Sequence, residues 1–239
     1  MSSDTLALAS LSLTHVFYDP SDPISYVCAL LALVPQALCI IYVTLIYSSR
    51  EIELILMFAG QMACELMNWI LKRIIQEERP GQLQGRGYGM PSSHSQYVAF
   101  FSAYICLFLL IRHVPSKRTS PDSSPATFSQ RLIVSVLACA GATLVIYSRV
   151  YLRYHTKKQV LVGAALGVGF AIAWFVFTKC LRSLGLLDSV LDCELARLAR
   201  VRDLMTTEDF AEAGWVRWRR DRERSRREKD VNGNGRKNI

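Results

Sequence analysis

Five stretches of the chain, 24–47, 52–75, 94–110, 131–147 and 160–177, are almost continuously apolar. Each is close to the length that crosses ~30 Å of hydrocarbon. Backbone polar groups find no water at that depth, so a chain patterned in this way satisfies them inside helices. The sequence therefore predicts an all-α, polytopic membrane helix bundle with about five spanning helices. Pro35 in the first stretch is tolerated as a kink, and Gly163, Gly167 and Gly169 in the last predict close helix approach.

The informative residues are the polar ones inside and beside these runs, because a charge there is costly without a partner or a task. Glu65, Asn68 and Lys72 step by three and four, so they share one helix face, and lipid cannot solvate it. That face must point into the bundle. Lys72 opens a stretch that ends in Arg79-Pro80; Pro91-Ser92-Ser93-His94 opens the third run, with Pro91 in the first helical turn. Ser148-Arg149 closes the fourth run, and His155 follows before the fifth begins. With five crossings, all three stretches lie on one side of the membrane.

The opposite side collects Arg50, the connector 112–130 and the arginine-rich end of the chain, whereas residues 1–23 contain no lysine or arginine. The positive-inside rule then puts the tail in the cytosol and the three stretches outside, lumenal in a cell with internal membranes. Arg79, Arg86, Lys157 and Lys158 run against that rule, as they would if an anionic substrate occupies several of them. The chain divides into a lumenal N-terminal segment (1–23), a membrane-embedded domain (24–180) and a cytosolic basic tail (181–239). An amphipathic surface helix is expected over 188–213 and a disordered charged end over 217–239. The formal charge of +8 matters through its placement in that tail, which fits anionic lipid headgroups or solvent rather than nucleic acid. Five of the seven cysteines lie in apolar runs without paired spacing, which reads as small buried hydrophobes. The N-terminus lacks the basic segment of a cleaved signal, so the first span is expected to direct membrane insertion.

Three fixed cations, a hydroxyl pair and two imidazoles on one face are an inventory for phosphoryl transfer. The transferred group carries charge on three oxygens, so catalysis is mostly positioning and cation placement. Lys72 and Arg79 are two helical turns apart if the helix continues, and Arg149 adds a planar fork for two oxygens. Helix N–H groups beside Ser92 and Ser93 form a natural phosphate site. His155 can attack phosphorus as a neutral imidazole, and His94 can pass a proton to the leaving oxygen and take one from water. No Asp/Glu/His cluster has metal-ligand spacing, so neither a metal nor another cofactor is expected. Each residue alone has a plain structural reading; their joint occurrence on one face carries the argument.

In order and membrane placement these stretches resemble the three signatures of the type 2 phosphatidic acid phosphatase (PAP2) superfamily, over roughly residues 52–178. The resemblance implies phosphate contacts from Lys72, Arg79, Ser92, Ser93 and Arg149, acid–base work by His94, a nucleophile at His155 and no metal. Two positions depart from the family pattern: Ser93 stands where it usually has Gly, and Gln159 where it has Asp. Tyr88 to Gln96, together with Ser148 to His155, Gln159 and Ser12 to Val16, resemble the branch that acts on a polyprenyl (dolichyl) diphosphate. That branch implies hydrolysis to dolichyl phosphate and orthophosphate at the lumenal face of the endoplasmic reticulum, recycling the carrier for protein N-glycosylation. Arg73, Arg86 and Arg153 are spare cations for a second phosphate or for headgroups. Gln159 either orients His155 from one helical turn away or only caps a helix end. The residues leave open a phosphatase of phosphatidate or a sphingoid phosphate, and a non-catalytic membrane scaffold.

Overall fold

The computed structural model describes residues 9–11, 16–80, 87–113 and 126–235. Ser12 to His15, Arg86 and residues 114–125 of the connector lie outside the described residues. Two short antiparallel strands, β1 (Ala9–Leu11) and β2 (Val16–Tyr18), precede the bundle. The first crossing is made by α1 (Pro23–Leu31) and α2 (Val34–Ser49). Asp22 caps α1 by accepting from the Ile24 N–H at 2.9 Å, and Pro35 sits in the first turn of α2, where its missing N–H costs no bond. The break at residues 32–33 is the kink expected from Pro35.

The other crossings are α3 (Ile52–Ile75), α4 (Ser93–Leu107) with a wider turn Phe108–Arg112, α5 (Phe128–Tyr151) and α6 (Lys157–Ser183). All five crossings have the length and hydropathy of membrane spans. Their outer faces are apolar and open, as at Ile40, Leu137 and Leu161. A protein in water would not leave so continuous a belt uncovered.

The inner face of α3 behaves as its spacing predicts. Gln61 and Asn68 are buried, Asn68 donates to the Gln96 Oε1 at 2.7 Å, and the Gln61 amide reaches the Tyr97 carbonyl at 3.3 Å. α4 is the central helix. Phe100 and Tyr104 on it join Met57 and Cys64 of α3 and Phe175 of α6 in the main core. The contact between α4 and α6 is close because two glycines leave room. A Cβ on Gly163 would meet the Ser92 carbonyl at 2.7 Å, and one on Gly167 would run into the Gln96 carbonyl. Gly169 faces open space instead. It lies two residues beyond Gly167, about 200° around the helix, so it cannot share that face.

Three further expectations need correction. Pro91 precedes the helix, because Ser92 is extended (φ −69°, ψ 116°) and acts as the N-cap. α3 stops at Gln76, whose left-handed φ of 52° turns the chain out of the helix, so Arg79 is on a loop and not two turns along from Lys72. The C-terminal region also carries helices in other places than its composition suggests. The expected surface helix is replaced by two short ones, α7 (Leu186–Asp192) and α8 (Glu194–Ala199), which ends at the left-handed Arg200. Over 217–235, where a disordered end was expected, the chain is helical within α9 (Phe210–Gly235), and residues 236–239 lie outside the described residues. Between them the chain docks on the spans: Glu51 is fully buried and accepts from the Leu204 and Met205 N–H groups at 2.8 and 3.0 Å.

The cations of the two membrane faces are used differently. Away from the three motif stretches, Glu53 is buried and pairs with Arg112 at 2.6 Å and Arg182 at 2.7 Å, while Arg182 also pairs with Asp203. These charges are consumed by one another. All seven cysteines are free; Cys28 and Cys64 are buried, whereas Cys139, expected to be buried, is exposed.

Candidate active site

The turn between α5 and α6 carries the two residues of the third motif. Arg149 occupies the last turn of α5 and is 2% exposed. Its Nε donates to the Ser148 hydroxyl at 3.4 Å, its guanidinium lies 5.3 Å from the Tyr154 ring, and its Nη2 is buried without a hydrogen-bond partner among the described residues. A buried guanidinium N–H left unpaired is costly, and an oxyanion would satisfy it. Tyr154 is itself fixed, since its hydroxyl accepts from the Phe17 N–H at 2.8 Å and it packs with Val16 and Leu152. The N-terminal strand β2 thus braces the turn that presents the site.

His155 is 6% exposed and precedes α6 rather than lying on it. Thr156 is the N-cap and Gln159 the third residue of α6, and the two form a reciprocal capping box. Gln159 therefore reaches His155 through a cap and not along a helix face, which corrects the geometry expected from the sequence. Gln159 closes the cap and also lies against His155. The Gln159 Oε1 accepts from the Thr156 N–H at 3.2 Å and also lies 3.2 Å from the His155 Nδ1. Its Nε2 donates to the Glu77 Oε1 at 3.0 Å and to the Glu78 carbonyl at 2.9 Å.

The orientation of this amide is forced by its fixed neighbours. A backbone N–H only donates and a backbone carbonyl only accepts, so Thr156 and Glu78 assign the oxygen and nitrogen without ambiguity. The His155 Nδ1 facing that oxygen must then carry the hydrogen, which leaves the Nε2 lone pair as the base. Burial, with the positive charge of Arg79 next and those of Lys72 and Arg149 behind it, pushes the His155 pKa down to about 4 against the opposing contact from Gln159. The imidazole is neutral at physiological pH.

The first two motifs close the site from α3 and α4. The Lys72 ammonium donates to the Ser93 hydroxyl at 3.4 Å. Ser92 is fully buried and serves the protein: its N–H donates to the Gln159 carbonyl at 3.3 Å and its hydroxyl accepts from Ser95 at 3.1 Å. Among the described residues no side chain caps the first turn of α4, which offers its N–H groups to an anion. The His94 Nε2 donates to the Ala32 carbonyl at 3.1 Å, where α1 and α2 part, and this leaves Nδ1 as the nitrogen free to move a proton. A cavity of about 270 Å³ runs from Ser93 and His94 past Tyr97 and Glu65 to Pro35, Cys39 and Met62. Its walls belong to three spans, so it lies between them beside the polar cluster. Of the spare cations, Arg73 lies over the Trp69 ring at 3.3 Å and Arg153 sits in an exposed left-handed turn (φ 57°).

Sequence reasoning missed Glu77, the Ala32 carbonyl and Gly89. Gly89 donates its N–H to the Glu77 carbonyl at 2.7 Å, and a Cβ there would lie 2.8 Å from the Gln159 amide nitrogen. The Glu-Glu pair between Lys72 and Arg79 was the only visible signal.

The fold and this cluster define a multi-pass membrane protein with a cationic, two-histidine site at one face. The model of the PAP2 superfamily matches residues 52–182, and the chain belongs to that superfamily. A Neurospora crassa protein whose name proposes a dolichyldiphosphatase is 46% identical, over 93% of this chain and 95% of its own length. Human dolichyldiphosphatase 1 is 42% identical over 71% of each chain, and the Dictyostelium discoideum protein of the same name 33% identical over 85% and 86%. The crystal structure of a transmembrane PAP2-type phosphatidylglycerolphosphate phosphatase from Bacillus subtilis shares the fold, with a TM-score of 0.50, 23% identity and coverage of 66% of this chain and 76% of that one.

Proposed function

We propose that this protein is a hydrolase of a phosphoric anhydride that converts dolichyl diphosphate to dolichyl phosphate and orthophosphate through a phosphohistidine. The observation that carries the reading is the neutral His155, with its Nδ1 hydrogen engaged by Gln159, among Lys72, Arg79 and Arg149. In the first step the Nε2 lone pair forms a bond to the terminal phosphorus. The anhydride P–O bond breaks, and its electron pair leaves with dolichyl phosphate, whose oxygen takes a proton from the Nδ1 of a His94 that enters the step as imidazolium, a form the bound diphosphate's negative charge favours, while its Nε2–H stays on the Ala32 carbonyl. In the second step His94 takes a proton from water, the water oxygen bonds to phosphorus, and the P–N bond breaks to return neutral His155. Lys72, Arg79, Arg149 and the first turn of α4 hold the charged oxygens, with the Ser93 hydroxyl beside them. The cavity beside His94 gives the start of an isoprenoid chain a route toward lipid. With three cations neutralising the phosphates, the reaction needs no metal.

Purified protein in detergent, given dolichyl diphosphate, phosphatidate and a sphingoid phosphate side by side, is expected to release phosphate fastest from the first. Activity should persist in EDTA and be blocked by vanadate, which mimics pentacoordinate phosphorus. Faster turnover of phosphatidate would overturn the substrate, no release from any of them would favour a scaffold, and loss in EDTA with rescue by magnesium would overturn the metal-free reaction.

The same reading puts the protein in the endoplasmic reticulum membrane, with the catalytic domain (24–180) opening to the lumen, the N-terminal segment (1–23) beside it and the region 181–239 in the cytosol. There the product re-enters carrier recycling for N-glycosylation. Its support is the lack of lysine and arginine before the first span and the arginine-rich C-terminal region. Protease added to intact microsomes should remove a C-terminal tag and spare an N-terminal one; the reverse pattern inverts the topology.

A further inference from the structure

We infer that Glu77 is the carboxylate of this active site, a positioning residue whose charge reaches His155 through the Gln159 amide. The inference rests on His155 being the nucleophile. The neutral amide of Gln159 cannot by itself balance the positive charge that the ring acquires when Nε2 bonds to phosphorus. The structure supplies that charge one link further out. The Glu77 Oε1 accepts from the Gln159 Nε2 at 3.0 Å, and the Gln159 Oε1 lies 3.2 Å from the His155 Nδ1, so carboxylate, amide and imidazole form one hydrogen-bonded line. Polarisation along such a line strengthens each bond in it.

Three details single out Glu77 as the source of charge. The amide is saturated, with two acceptors on its nitrogen and two donors on its oxygen, so the line has no slack. The hydrogen bond from Gln159, and then that from Lys158 to the other oxygen at 3.1 Å, hold the Glu77 carboxyl below its ordinary pKa, and it stays ionised. The remaining charged groups that bear on His155, namely Arg79, Lys72 and Arg149, are all positive. His94 also adjoins it. Glu77 is joined to His155 by a continuous hydrogen-bonded path through Gln159.

The amide orientation does not depend on Glu77, because Thr156 and Glu78 enforce it. Glu77→Gln therefore keeps a hydrogen-bond acceptor for Gln159 and removes only the charge. Its kcat is expected to fall roughly 10- to 100-fold with KM changed less than about two-fold. The acid limb of its kcat/KM profile should move to lower pH, since losing a negative charge disfavours the imidazolium. The exchange Glu77→Gln with Gln159→Glu keeps an acid–amide pair but puts the charge directly on His155. It should recover part of kcat and move the acid limb above that of the parent. A purely structural Glu77 would give a Glu77→Gln protein with parental kcat and an unmoved acid limb, and that result overturns the inference. So does an exchange variant that recovers turnover without shifting the limb. The assay uses whichever lipid phosphate the parent turns over, so a different substrate preference is read from the parent alone and leaves this test intact.

Discussion

A His155→Ala protein is expected to release no measurable phosphate and to accumulate no phosphoenzyme, a loss on the order of 10⁴-fold or more for a removed nucleophile. The fold should survive, because the Gln159 oxygen that loses its partner still accepts from the Thr156 N–H and its nitrogen keeps both acceptors. Rapid acid-free trapping of radiolabelled phosphate separates this outcome from slow hydrolysis: parent protein should carry an acid-labile label and the variant none. A labelled His155→Ala protein would move the nucleophile elsewhere.

The pH dependence of the parent follows from the same residue. With a pKa of about 4 in place of 6.5, His155 is a free base across the neutral range, so the acid limb attributable to it should lie near pH 4. The sign for stability is that of a depressed histidine. The folded protein binds fewer protons than the unfolded chain between these two values, so this residue's contribution rises with pH there. It is complete above about 6.5 and lost as the pH falls toward 4. An acid limb near 6.5 in the parent would show that the nucleophile is not this buried imidazole.

Much of the fold was legible because a span announces itself by composition: the second run matches α3 at 52–75, and the others differ from α4, α5 and α6 mainly at their ends. Polar residues inside apolar runs were equally readable, since a buried Asn68 must find a partner and found Gln96. The connections between distant segments were not legible. Nothing local in Glu77 points to Gln159, eighty-two residues away, and nothing in Glu53 points to Arg182. Caps were misread for a related reason. The helical phase of Lys72 and Arg79 breaks at a left-handed Gln76, a residue with no glycine to mark it. The helix over 210–235 escaped because arginine and glutamate are good helix formers as well as marks of disorder. In the site, residue types gave the chemistry while backbone geometry gave the roles: Ser92 is spent on holding α4 against α6, and the Gln159 cap sets the His155 tautomer.

Arg149 should prove the most sensitive of the cations to a conservative change. It is buried with its Nη2 unpaired among the described residues, braced by Tyr154 and Ser148, and so is preorganised for an oxyanion at no further ordering cost. Lysine at this position keeps the charge but offers a single point of contact in place of a fork. Arg149→Lys should therefore lower kcat by about 2–4 kcal/mol of transition-state stabilisation, which is roughly a thirty- to thousand-fold loss. The loss should fall on formation of the phosphoenzyme, measured by rapid quench, more than on substrate KM, because the equatorial oxygens gain charge only as phosphorus is attacked. Thermal unfolding in the same detergent controls for structure: the orphaned N–H is removed together with the fork, so the variant should melt close to the parent. An Arg149→Lys protein with parental kcat would make this arginine a brace for the α5–α6 turn and leave Lys72 and Arg79 to hold the phosphate.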